Sequence, residues 1–177
     1  GIDQLEAAIN YTWRPESGPF QTILFGASRE RFEDSKGNLQ SQGGAITPFQ
    51  ITTNAGDSMF LRSNFDKEVL ITPFEISPGV VLQPGEYDFE NHGISFSTAG
   101  FRKISGSISY LEGTFWSGRQ TRVFGNLTWV PSPRIRTNVG FNVTDVTLPE
   151  GEFTTRLLTA GFDYIFSNEL SWVNLVQ

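Results

Sequence analysis

The chain has 177 residues, a hydrophobic fraction of 38%, no cysteine and a net charge of −6. A soluble globule of that length would bury roughly 70% of its unfolded surface; 38% is a low share for filling such a core, whereas a membrane barrel needs apolar residues on one strand face only. The cysteine count excludes a disulfide framework and thiolate metal sites, the net charge argues against non-specific nucleic-acid binding, which needs a basic patch, and no apolar run approaches the ~20 residues of a membrane helix. No basic stretch leading into an apolar run opens the sequence, so an exported form carries its signal upstream of Gly1 or has lost it.

Along the chain the apolar period is two, the mark of strands. Leu5, Ala7, Ile9, Tyr11 and Trp13 alternate with Glu6, Asn10, Thr12 and Arg14, and the stretch ends at Thr12-Trp13-Arg14-Pro15. Ile104, Ile108 and Tyr110 oppose Ser105, Ser107 and Ser109. In the next segment Thr121, Val123, Leu127 and Trp129 oppose Gln120, Arg122, Asn126 and Thr128, ending again in Thr-Trp before Pro131. Residues 134–145 set Ile135, Thr137, Val139, Phe141 and Val143 against Arg134, Arg136, Asn138, Asn142 and Thr144. Residues 153–166 set Leu158, Ala160, Phe162, Tyr164 and Phe166 against Thr155, Thr159, Gly161 and Asp163. Arginine and asparagine in mid-strand are costly facing a dry core and cheap facing a wet lumen.

Turn signals recur near Pro15, Asp34–Asn38, Thr53–Asp57, Ser77–Gly85, Ala99, Ser117–Gly118, Pro131–Pro133, Leu148–Gly151 and Ser167–Asn168. Nine turns predict an all-β, antiparallel up-and-down meander of about ten strands. Most strands are expected near 10–14 residues, which matches a membrane-spanning strand of about 9–11 residues with some extension beyond the lipid. In a meander alternate turns share an end, which groups Pro15, Thr53, Ala99, Pro131 and Ser167 and puts the long Ser77–Gly85 connection opposite. Trp13, Trp129, Tyr164 and Phe166 thus gather at one end, as an aromatic girdle at a lipid–water boundary does. The same rings could serve as a sugar-stacking platform; a girdle explains their shared end more simply.

Several phrases carry a resemblance: Pro73-Phe74-Glu75-Ile76 with Pro78-Gly79-Val80-Val81-Leu82-Gln83-Pro84-Gly85-Glu86-Tyr87, then Trp129-Val130-Pro131-Ser132-Pro133, Leu148-Pro149-Glu150-Gly151-Glu152-Phe153-Thr154-Thr155-Arg156, and Phe166-Ser167-Asn168-Glu169-Leu170-Ser171-Trp172. In order and spacing, from about Leu5 to Gln177, they resemble a bacterial outer-membrane β-barrel domain family of unknown function. That domain usually follows a family-9-like carbohydrate-binding module. The resemblance implies a barrel in the bacterial outer membrane and supplies no catalytic residues. The module has no counterpart here, so sugar binding transfers to no residue. The chain stops mid-strand at Val173-Asn174-Leu175-Val176-Gln177, so residues 1–177 are expected to be a single β-barrel domain, a fragment of a larger barrel truncated at its C-terminal end.

Candidate chemistry is thin. Glu86, Asp88 and Glu90 project from one strand face and are weak metal candidates, because alternate positions stand ~7 Å apart. Solvated acids beyond the lipid are the simpler reading. His92, the only histidine, has no Gly-x-Ser-x-Gly partner; Gly93-Ile94-Ser95-Phe96-Ser97 ends in serine. Glu150 and Glu152 are a carboxyl pair in a turn, with nothing to raise a pKa as a glycosidase requires. Arg122, Arg134, Arg136, Asn138, Asn142 and Arg156 are the lumen-facing candidates; Arg62, with the other arginines, belongs to a lumen charge pattern or pairs with acids inside the barrel.

The sequence therefore predicts a non-enzymatic outer-membrane protein, with no cofactor and no nucleic-acid partner, that passes or docks a small solute or glycan. Its partners are the lipid bilayer and missing barrel strands or other membrane-protein chains. The competing expectation is a soluble all-β carbohydrate-binding module, whose apolar strand faces pack together.

Overall fold

The computed structural model describes residues 2–35, 37, 39–167 and 169–177. Of the turn signals, Lys36, Asn38 and Asn168 lie outside them.

Ten strands form one antiparallel sheet: β1 (Ile2–Trp13), β2 (Phe20–Asp34), β3 (Leu39–Thr53), β4 (Ser58–Leu70), β7 (Gly85–Ser97), β8 (Ile104–Phe115), β9 (Gly118–Ser132), β10 (Ile135–Leu148), β11 (Gly151–Ile165) and β12 (Ser171–Val176). Each pairs only with its neighbours in that order, an up-and-down meander. Between β4 and β7 the chain leaves the sheet as a hairpin, β5 (Phe74–Ser77) and β6 (Val80–Leu82). The ladders leave β1 and β12 as the outer strands.

The turns after β1, β3, β7, β9 and β11 share one end, the near end, as the alternation predicts. One detail differs from expectation. β9 continues through Pro131, and the turn is at Pro133 and Arg134. Pro131 is tolerated there because the β9–β10 register slips between Ile135 and Thr137, next to the strand end. Pro48, within β3, likewise coincides with a register slip between Ile46 and Phe49.

Strands are staggered. The row of opposed residues that starts at Trp13, last in β1, runs through Ile23, Ile51, Met59, Phe96, Ile108, Gly125 and Phe141 to Leu158. Leu158 stands seven positions before Ile165, the end of β11. Measured against the near-end turns, that stagger corresponds to a strand tilt of about 30°. The sheet also has a sheltered side. Along β7 and β8 exposure alternates, with one face open to solvent and the other half-buried or buried, as on the concave side of a curled sheet.

The only cluster of buried apolar side chains among the described residues is at the far end. Val80 and Leu82 of β6 pack with Val146 and Leu148 of β10, flanked by Leu70, Ile76, Phe115, Trp116 and Phe153. Leu82 is 0% exposed. Burying a valine and a leucine there contributes about 1.5–3 kcal/mol each. All the sheet residues in this cluster lie on the sheltered face, so the hairpin folds inward over that face.

Candidate functional site

The two sheet faces carry different chemistry, and the ladder registers assign each side chain. On the exposed face at the near end lie Ile9, Tyr11 and Trp13; Phe25; Phe49 and Ile51; Met59 and Leu61; Ile94 and Phe96; Ile108; Leu127 and Trp129; Val139 and Phe141; Leu158 and Phe162; and Trp172. Leu127 is 54% and Leu158 66% exposed. This is a continuous apolar belt crossing ten strands. Val123, Leu127, Val139, Phe141, Leu158 and Phe162 all belong to it. Trp13, Trp129 and Tyr164 sit on this face at the near end, and the exposed Phe166, just beyond β11, packs edge-on against Tyr164 with centroids 4.6 Å apart.

Toward the far end the same face turns charged. Lys67 lies beside Glu86 at 3.1 Å and Asp88 at 3.4 Å, and His92 lies 3.4 Å from Glu90. Glu86, Asp88 and Glu90 do share a face, but Lys67 and His92 divide them, and the described residues contain no group of three ligands able to hold a metal. Ser63 Oγ stands 2.8 Å from His92 Nδ1, completing a Ser63–His92–Glu90 chain that sequence spacing could not reveal because Ser63 is on another strand. It stands on an open strand face, beside the slip in the β3–β4 register. Ser95 is on the opposite face from His92. Glu150 accepts from Ser117 Oγ, whereas Glu152 is on the exposed face opposite Thr147, so the two do not flank a cleft.

The sheltered face behind the belt is mostly polar, with Leu24, Phe60, Phe124 and Leu157 interspersed. Ser58 and Ser97 share a hydrogen bond of 2.8 Å, as do Ser95 and Ser109; Ser107 Oγ donates to Asn126 Oδ1 at 2.6 Å. Gln120 Nε2 donates to Asn91 Oδ1 at 3.1 Å, and Arg122 Nε to Asn142 Oδ1 at 3.0 Å. Arg122 also lies 4.7 Å above the Phe124 ring. Several polar side chains lie flat over a cross-strand glycine. A Cβ on Gly26 would meet Asn10 Oδ1 at 2.4 Å, one on Gly140 would meet Thr159 Oγ1 at 2.6 Å, and one on Gly161 would meet Asn138 Oδ1 at 2.3 Å. Ser107, Arg122, Phe124, Asn126, Asn142 and Thr159 help line a groove of about 300 Å³ on this face.

Of the six lumen-facing candidates, Arg122, Arg136, Asn138 and Asn142 are on the sheltered face. Arg156 is not: it pairs with Val143 on the exposed face, having the parity of Leu158. Arg134 is in the β9–β10 turn ahead of the strand, its carbonyl accepting from Ile165 N at 2.9 Å. Arg62 is on the sheltered face, with Asn64 and Asp66 on the same strand.

The near-end turns are tied together. Asn54 Nδ2 donates to Gly18 O at 2.8 Å, and Arg102 Nη2 to Asp57 Oδ2 at 2.8 Å, while Ala99 N donates to Asp57 Oδ1 at 3.0 Å. The Arg102 hydrogen bond, then that of Ala99 N–H, holds the Asp57 carboxyl below its ordinary range. Compared with known protein families, characterised proteins and solved structures, the chain matches none.

Proposed function

We propose that this chain is a non-enzymatic β-barrel segment of a bacterial outer membrane that passes or docks a small hydrophilic solute, with glycans among the candidates. The observation that carries the reading is the exposed belt backed by a hydrogen-bonded polar face. A bilayer rewards apolar residues facing outward and tolerates polar ones only where they face water. From Ile135 to Val143 the belt runs about 26 Å along the strand, or about 23 Å across the membrane once tilted, near the ~25 Å of outer-membrane barrels. Aromatic residues at the near-end rim fit an interfacial girdle. Unpaired strand edges are not tolerated in lipid, so β1 and β12 require partners: each other, further strands of a larger barrel, or other chains. Membership of the barrel family that the Pro73–Tyr87 and Leu148–Arg156 phrases resemble is part of the same proposal.

Heat modifiability tests it. After extraction in mild detergent the unboiled chain should migrate differently from the boiled one and precipitate when detergent is withdrawn. A monomeric, β-rich chain that stays in plain buffer with no shift would overturn the membrane reading in favour of a soluble carbohydrate-binding module.

A further inference from the structure

The β5–β6 hairpin crosses the sheltered face. It departs between β4 and β7, the fourth and fifth positions of the sheet, and its far contact is at the β10–β11 turn, between the eighth and ninth. There, a Cβ on Gly151 would stand 3.0 Å from Val80 Cγ2. The hairpin thus spans four strand positions, about 19 Å of sheet, as a chord across the concave side.

Its seat is built for it. The sheltered face is mostly polar behind the belt, and its buried apolar cluster forms where the hairpin lands, at Val146, Leu148 and Phe153. Beside the seat Trp116 stacks edge-on with Tyr87 at 5.1 Å and with Phe89 at 5.3 Å. Its base is tied to β7, where Tyr87 OH donates to Gln83 O at 2.6 Å, and its own turn is closed by Gly79 N donating to Glu75 Oε1 at 2.8 Å. Gly79 has a φ of +79°, the left-handed turn that brings Val80 back toward the sheet. A connection standing away from the rim would leave the far mouth open; this one is turned in and fastened.

We propose that the hairpin is a fixed steric constriction across the far mouth of the solute path, setting the largest solute that passes. This rests on the barrel reading, and the test separates the two. The full chain is incorporated into liposomes, and swelling is followed with neutral sugars from mono- to tetrasaccharide. Two variants are compared: residues 73–83 replaced by a short Gly/Ser link, and Val80→Ser with Leu82→Ser, which keeps the backbone should the deletion fail to fold. Freed of the constriction, a heat-modifiable variant should swell about fivefold faster or more with the trisaccharide and change little with the monosaccharide. A wild type closed to every sugar, beside a permeable variant, is the same result at its limit. Heat-modifiable variants with the wild-type size dependence would overturn the constriction alone. A wild type that neither shifts on heating nor enters liposomes would overturn the barrel reading and the constriction with it.

Discussion

The near and far halves of the sheet are built on opposite plans by the same strands. Near the aromatic turns, Phe96, Leu127, Phe141 and Phe162 face out, and Ser95, Ser97, Asn126 and Asn138 face in. At the far end Lys67, Glu86, Asp88 and Arg119 face out, and Leu70, Phe115, Val146 and Phe153 face in. The period of two never breaks along β7 or β10; only the residue types exchange faces, near the row of Ser63, His92 and Glu112. One backbone geometry thus carries two residue patterns. From β7 to β11 the far half keeps apolar residues under cover, as a water-soluble sheet does, and the near half has the pattern expected of a sheet in lipid; on β4 the sheltered side stays charged at the far end, at Asp66 and Glu68.

Substitutions can break this contrast. The largest effect is expected at the far core, where Leu82→Ala should cost about 2–5 kcal/mol in a denaturant titration of the folded protein. Next, Leu127→Arg should cost about 2–4 kcal/mol when folding is measured into bilayers; Thr121→Arg, on the same face and strand in the inversion row itself, should stay within about 0.5 kcal/mol. Equal costs at the two positions would abolish the distinction between halves. On the polar face, Ser109→Ala strands one partner of the Ser95 bond and should cost about 1 kcal/mol, much of it recovered in the Ser95→Ala/Ser109→Ala pair. The smallest effect concerns the near-end rim. Because the folded carboxyl of Asp57 is depressed, its contribution is full above the unfolded value of ~3.9 and is lost as pH falls through the folded one. Acid melts should therefore show a slightly steeper loss in the wild type than in Asp57→Asn.

Much of this was legible from the sequence, because the near half obeys local rules. The alternation of Ile104, Ile108 and Tyr110 with Ser105, Ser107 and Ser109 lies in β8, and the five turns grouped at one end are there. Exposed apolar residues alternating with serine and asparagine read the same in the chain as in the sheet. The hairpin core was not legible. Val80-Val81-Leu82 is too short to display a period, and Pro78, Gly79, Pro84 and Gly85 around it signal turns. Its burial comes from a contact far along the chain. Ser63 beside His92 and the glycine-covering polar side chains were hidden for the same reason: strand register, which composition does not encode, brings them together. Arg156 was a different matter, since its parity with Leu158 was already visible in the sequence and places it on the apolar face.

A meander is a fold of neighbours: nearly every pairing in the sheet closes a short loop and can zip locally. The chord from Val80 to Gly151 is the exception, closing a loop of about seventy residues. Its seat on Val146, Leu148 and Phe153 is complete only when β10 and β11 have joined the sheet. Until then Leu82 has nothing to bury itself against. The hairpin must wait for strands made long after it, and its docking marks the moment at which the sheet has been assembled as far as β11.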